Sequence, residues 1–132
     1  MATIRREFAL HASPERVWDA MRDIGALHTR LVRGFVTDTR LEGGARVVTF
    51  ANGMVARERI VDVDDQSRRI AWSIVDSPRL DHHNASVQLS RQEGGTLAVW
   101  IVDVLPDAVA PDIALMVDQA ITAMQRTFAA DG

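Results

Sequence analysis

Arg46 and Glu58 stand on opposite sides of an Asn52-Gly53 pair, and His82 and His83 follow as neighbours further along the chain. An arginine and a glutamate that meet across a hairpin can neutralise each other as a cross-strand ion pair. They can equally offer a cation and a carboxylate to a small molecule. Histidine adds the side chain whose proton moves near neutral pH. Little other chemistry is open, because the 132 residues contain no Cys, Lys or Tyr and all 15 basic residues are Arg. Thiol nucleophiles, disulfides, Fe–S clusters, cysteine zinc sites and Schiff-base lysines are therefore excluded. No phenol can act as a general acid. His and carboxylate residues lack the grouped spacing of a metal site, so neither a metal nor another cofactor is expected.

Whether Arg46 meets Glu58 depends on the turn between them. A two-residue Asn-Gly turn would pair Ala51 with Met54 and set Phe50 on the same face as Arg57 and Arg59. A three-residue turn, Ala51-Asn52-Gly53 with the glycine left-handed, pairs Phe50 with Met54, Val48 with Ala56 and Arg46 with Glu58. The second register gathers Phe50, Val48, Met54, Ala56 and Ile60 on one face and leaves Arg57 and Arg59 in water. Glu58 then lies in an apolar row, where an isolated carboxylate is costly, so it must be paired, wetted or protonated. Arg46 is its partner, as a structural ion pair or as a polar anchor.

The elements that position these residues follow from period and turn chemistry. Thr3 to Leu10 alternate, with Ile4, Phe8 and Leu10 on one face; Arg6 breaks the pattern and belongs at a rim. Ser13-Pro14-Glu15 supplies an N-cap hydroxyl, a proline at the first helical position and a carboxylate at the positive end of the dipole. Val17 and Met21 face the interior beside Trp18. Asp23 caps a second short helix through about His28. From Val32 to Val104 the chain is strand-like and is cut at Glu42-Gly43-Gly44, Asn52-Gly53, Asp64-Asp65-Gln66, Asp76-Ser77-Pro78 and Glu93-Gly94-Gly95. These five breaks give six strands, antiparallel because their connections are too short for crossovers. Pro111 to Phe128 switch to helical period, with Ile113, Val117, Ala120, Met124 and Phe128 on one stripe and Met116 and Ile121 on its shoulders. A helix of that length spans about 27 Å, enough to cross a sheet of about seven strands. The expected class is α+β, one domain over residues 1–132, with roughly two-thirds of the unfolded surface removed from water.

The formal net charge of −3 argues against nucleic acid as a partner. No early apolar region follows Arg5-Arg6 and no apolar stretch approaches membrane-spanning length, so neither a signal peptide nor a membrane span is expected, and a cytoplasmic location is.

Ala12-Ser13-Pro14-Glu15-Arg16-Val17-Trp18, the run Glu58-Arg59-Ile60-Val61-Asp62-Val63-Asp64-Asp65, and Arg68-Arg69-Ile70-Ala71-Trp72-Ser73-Ile74, taken with the order of elements, resemble the START/Bet v 1-like (SRPBCC) superfamily. Within it the chain is most similar to the polyketide cyclase/dehydrase-like branch and distantly similar to plant abscisic acid receptors. The resemblance covers about residues 3 to 128. It implies a helix-grip fold, in which the sheet wraps on the long C-terminal helix around a cavity for an apolar small molecule. It also implies that Glu58 faces that cavity and that Trp72 takes an aromatic cavity position. Where the family commonly has Tyr, this chain has His83.

The expected ligand-binding residues are Arg46, Val48, Phe50, Met54, Glu58, Trp72, His83, Val99, Ile101, Val117, Ala120 and Met124. His83 points inward on the parity of Ala85, Val87 and Leu89, as a hydrogen-bonded wall residue, a ligand contact or an acid/base group; His82 points out. Met116 and Met124 suit either plain packing or an adaptable ligand wall. His11 and His28 belong at the surface near helix ends. On the last strand Leu97, Val99 and Ile101 are expected to face in, and Ala98, Trp100, Val102 and Val104 out. Trp100 would then be covered by the first strand's neighbours or join a homodimer interface. The first functional reading is binding of a small hydrophobic molecule, with no catalytic residue assigned. The alternative is a cyclase, aromatase or dehydratase acting on a polyketide-like substrate by acid/base catalysis. A third class is a protein-interaction module; the short Asn-Gly turn argues against a receptor that closes a lid onto a partner.

Overall fold

A computed structural model describes residues 1–129. Seven strands form one antiparallel sheet: β1 (Ala2–Leu10), β2 (Val36–Glu42), β3 (Ala45–Phe50), β4 (Val55–Asp64), β5 (Arg69–Val75), β6 (His82–Gln92) and β7 (Gly95–Leu105), in the order β1-β7-β6-β5-β4-β3-β2. All five sequence breaks fall between strands. Consecutive strands from β2 to β7 are neighbours, and only β1 arrives from the far end of the chain to pair with β7.

Helix α1 (Pro14–Met21) starts as its sequence requires, with the Ser13 hydroxyl accepting from the Arg16 N–H at 3.2 Å and Pro14 in the first turn. Its Val17, Trp18 and Met21 are buried, and the Trp18 indole N–H donates to Asp65 at 2.8 Å, fixing the helix to the β4–β5 turn. The second helix departs from expectation. It is a π-helical turn at Leu27–Leu31, closed by the Val32 N–H donating to the Leu27 carbonyl at 2.9 Å, and no side chain caps it. Asp23 instead accepts from Arg30 at 3.0 Å. The wider turn brings both Leu27 and Leu31 inward, and β2 begins at Val36 rather than Val32 because Gly34, at φ 84°, redirects the chain first.

Helix α2 (Ala110–Thr127) lies over one face of the sheet with Val117, Ala120, Ala123, Met124 and Phe128 buried. Asp118, Gln119, Gln125 and Arg126 are exposed. Arg6, on the inward parity of β1, reaches Asp118 of α2 at 2.8 Å, so the residue that breaks the apolar alternation ties the sheet edge to the helix. Among the described residues no helix is long and apolar enough to cross a membrane.

Candidate functional site

Arg46 on β3 lies directly opposite Glu58 on β4, and its Nε donates to the Glu58 carboxylate at 2.8 Å. The turn is the three-residue form: the Phe50 N–H donates to the Met54 carbonyl, Val48 pairs with Ala56, and Gly53 has φ 88°. Both side chains are nearly sealed from bulk water, at 4% exposure for Arg46 and 9% for Glu58. Burying two ions is favourable only when they pair well and their remaining polar atoms are satisfied. Arg46 gains a second contact, its guanidinium carbon standing 5.6 Å from the centre of the Trp72 ring. Nη1 reaches only a 3.5 Å contact with the Ile24 carbonyl. Among the described residues, Nη2 of Arg46 and the second oxygen of Glu58 make no hydrogen bond to protein. Arg57, by contrast, is on the outer face and bonds Glu42 at 2.7 Å.

His83 on β6 is buried and points inward, as its parity predicts. The β5–β6 ladder runs from Arg69 opposite Gln88 to Trp72 opposite Ala85 and then the strands part. Ile74 is left without a ladder acceptor, and the His83 Nδ1 takes its N–H at 3.0 Å. The Ser73 hydroxyl meanwhile donates to the His83 carbonyl. His83 therefore replaces backbone pairing with side-chain bonds where the sheet splays. Burial pushes its imidazole down from 6.5 to about 4, and His82 acts in the same direction. The ring is neutral at pH 7. With Nδ1 accepting, its proton sits on Nε2, so that nitrogen is a donor.

Between the sheet and α2 is a cavity of about 100 Å³ whose wall includes Arg46, Val48, Phe50, Glu58, Trp72, His83, Val117, Ala120 and Met124. Nine of the twelve residues expected at a site are thus brought together around one space. Met54, Val99 and Ile101 are not. Met54 keeps the expected backbone pairing, but its side chain is 46% exposed and lines an outer groove of about 320 Å³. That groove shares Phe50, Ile74, Ile113 and Met116 with the cavity.

Val99 and Ile101 are misplaced because the parity of β7 is the reverse of the expected one. Ala98, Trp100, Val102 and Val104 are buried inside, while Val99 and Ile101 are half-buried on the outer face. Cross-strand pairing decides this: Phe8 opposes Ala98 and Ile4 opposes Val102, and directly opposed residues share a face. Val99 and Ile101 oppose Glu7 and Arg5, whose stems flank them. The apolar row that suggested a homodimer is interior wall. His28 also differs from expectation, being half-buried with its Nδ1 3.1 Å from the Thr39 hydroxyl.

Trp100 and Trp72 meet edge to face in the wall, with ring centroids 5.7 Å apart. Sequence reading also omitted Leu27, Leu31, Val32, Phe35 and Val36 from the lining. Asp103 shares the parity of Val99 and Ile101 and was the available sign that their face is the wet one. Leu27 and Leu31, four apart, were the sign of a second inward helical face. Among the described residues no group of three or more His, Asp or Glu is gathered as a metal site.

A family model described as polyketide cyclase / dehydrase and lipid transport matches residues 1–131. The chain belongs to that family. Solved structures agree on its fold. XoxI from Bacillus cereus superposes with a TM-score of 0.83 at 21% identity, over 97% of this chain and 96% of that one. Ara h 8.0201 gives 0.75 at 16% identity, over 98% of this chain and 99% of that one. Major latex-like protein 151 from Panax ginseng gives 0.77 at 11% identity, over 98% of both chains. This member of the polyketide cyclase/dehydrase family therefore has the Bet v 1-like helix-grip fold of the SRPBCC superfamily. None of the curated proteins compared with the chain matches it.

Proposed function

We propose that this protein binds a small apolar or aromatic molecule in the cavity between the sheet and α2, and that Arg46, Glu58 and His83 are the polar groups that orient it. One observation carries this reading: a buried ion pair and a buried imidazole open onto an apolar cavity of about 100 Å³ instead of being packed over by protein. A few convergent polar groups in an apolar hollow are the usual build of a ligand site. At about 100 Å³ the space is smaller than the engineered apolar cavities of about 150 Å³ that take up benzene, so a one-ring ligand fills it and presses its wall outward toward the groove. A larger ligand would have to extend past Phe50, Ile113 and Met116 into the outer groove. Membership in a family described by polyketide cyclisation, dehydration and lipid transport supports an apolar cargo.

The test is thermal unfolding against a panel of aromatic, polyketide-like and lipid compounds. A ligand held at a hundred times its Kd stabilises the fold by about 2.7 kcal/mol and raises Tm accordingly. A panel in which no compound raises Tm would overturn the reading.

An enzymatic reading, a cyclase, aromatase or dehydratase, draws on a different pair of atoms. The free oxygen of Glu58 could accept a proton while the His83 Nε2–H polarises a ketone oxygen. Turnover of an oxo-substrate that His83→Gln leaves unchanged would remove His83 from that role.

A further inference from the structure

The Trp100 indole nitrogen is buried and, among the described residues, has no hydrogen-bond partner. The Trp18 indole, by comparison, donates to Asp65 at 2.8 Å. A buried donor left unpaired destabilises the fold. The orphan is not alone, because the wall that holds the Trp100 ring also holds His83 and Arg46. The Nδ1 of His83 is occupied by the Ile74 N–H, which leaves Nε2–H as a donor without an acceptor among the described residues. Arg46 has a donor to spare at Nη2, and among the described residues the one acidic side chain lining the cavity, Glu58, gives one oxygen to Arg46 Nε and keeps a single oxygen free. The spare donors, Trp100 Nε1–H, His83 Nε2–H and Arg46 Nη2, therefore outnumber the one free oxygen of Glu58, which favours a ligand that brings an acceptor of its own.

We propose that Trp100 is a specificity-determining residue: its indole N–H, with His83 Nε2–H as a second donor, selects cavity ligands that carry an acceptor oxygen such as a ketone over hydrocarbons of the same shape. This rests on the cavity-binding reading above and adds to it the chemical class of the ligand.

The experiment uses two probes that differ only in C=O for C=CH2, acetophenone and α-methylstyrene, titrated into the full chain with ¹⁵N-labelled tryptophan. Acetophenone should bind about three- to tenfold more tightly, the range of one net hydrogen bond, and should move the Trp100 indole proton downfield, whereas α-methylstyrene should not. Trp100→Phe should lose at least about threefold of that preference, read as the ratio of the two affinities measured in the same variant so that any change of cavity shape acts on both probes alike. Equal affinities with an unmoved indole proton would overturn the proposal and leave cavity binding standing, the N–H being held by Trp72 or a resident water. Binding of neither probe would remove the one-ring cavity reading and the proposal with it. Should Trp100→Phe fail to fold, the wild-type indole shift with bound ketone decides alone.

Discussion

Trp72 and Trp100 touch at 64°, their centroids 5.7 Å apart, although all of β6 separates their strands. The residue of β6 opposite Trp72 is Ala85, which is 1% exposed, and its single methyl leaves the room in which the two rings meet. Ala85→Leu should drive the rings apart and into the cavity. The expected destabilisation is about 1–3 kcal/mol by overpacking, read as a lower urea midpoint with unchanged m. Ligand-induced Tm shifts should disappear in the same variant, and the near-UV circular dichroism of the tryptophan pair should change.

The buried pair of Arg46 and Glu58 separates stability from binding. Glu58→Leu alone leaves a guanidinium enclosed beside Trp72 without its carboxylate, and should cost about 3–5 kcal/mol. Combining it with Arg46→Met replaces both ions by apolar groups of similar reach and should recover most of that loss. If the pair anchors a ligand, the double variant regains its urea midpoint but not its ligand-induced Tm shift. Full recovery of both would make the pair purely structural.

Sequence alone carried most of the fold but less than half of the proposed wall: nine of the twelve expected positions line the cavity, and they are nine of its 23 lining residues. Turn chemistry located every strand break, and one glycine with φ 88° fixed the register that sets Arg46 against Glu58. Long-range pairing was the missing information. β7 is apolar on both faces, so its own alternation could not choose a side; β1, paired to it from the other end of the chain, chose it through Ile4 and Phe8. The π-helical turn was hidden for a related reason. A five-residue backbone spacing has no local signature, and it is tertiary burial of Leu27 and Leu31 that selects it.

Two adjacent glycines where the strand that carries Trp100 begins should respond very differently to the same change. A Cβ on Gly95 would stand 2.2 Å from the Leu10 carbonyl oxygen, where β1 passes over the start of β7, and φ is 149°. Gly94 is also at positive φ, 84°, but nothing lies within 4 Å of its Cβ position. Gly94→Ala should cost about 1–2 kcal/mol from backbone strain alone. Gly95→Ala adds a clash with backbone that cannot move without disturbing Thr96, whose hydroxyl holds the Ala12 carbonyl at 2.7 Å. About 3 kcal/mol or more is expected there, and equal urea midpoints for the two variants would contradict this account.

The neutral, buried His83 makes stability depend on pH in a window above the carboxylate range. Its folded value is about 4, against 6.5 for the free side chain. Below pH 6.5 the unfolded chain takes up a proton that the folded chain refuses, so stability falls as the pH drops and levels off only near 4. Between pH 7 and pH 5 the loss from this one group should be about 2 kcal/mol. His83→Gln keeps a carbonyl oxygen that can accept the Ile74 N–H but has nothing to titrate, so its urea midpoint should be nearly flat over that interval. At pH 5 the gap between variant and wild type should accordingly be narrower than at pH 7. A bound ligand that accepts from Nε2–H holds the ring neutral and should depress the folded value further, so that the wild-type decline continues to lower pH instead of levelling off near 4, while the His83→Gln profile is unchanged. Imidazole shifts followed by NMR would give the folded value directly, and an imidazole titrating near 6.5 in the folded protein would remove the basis for the whole effect.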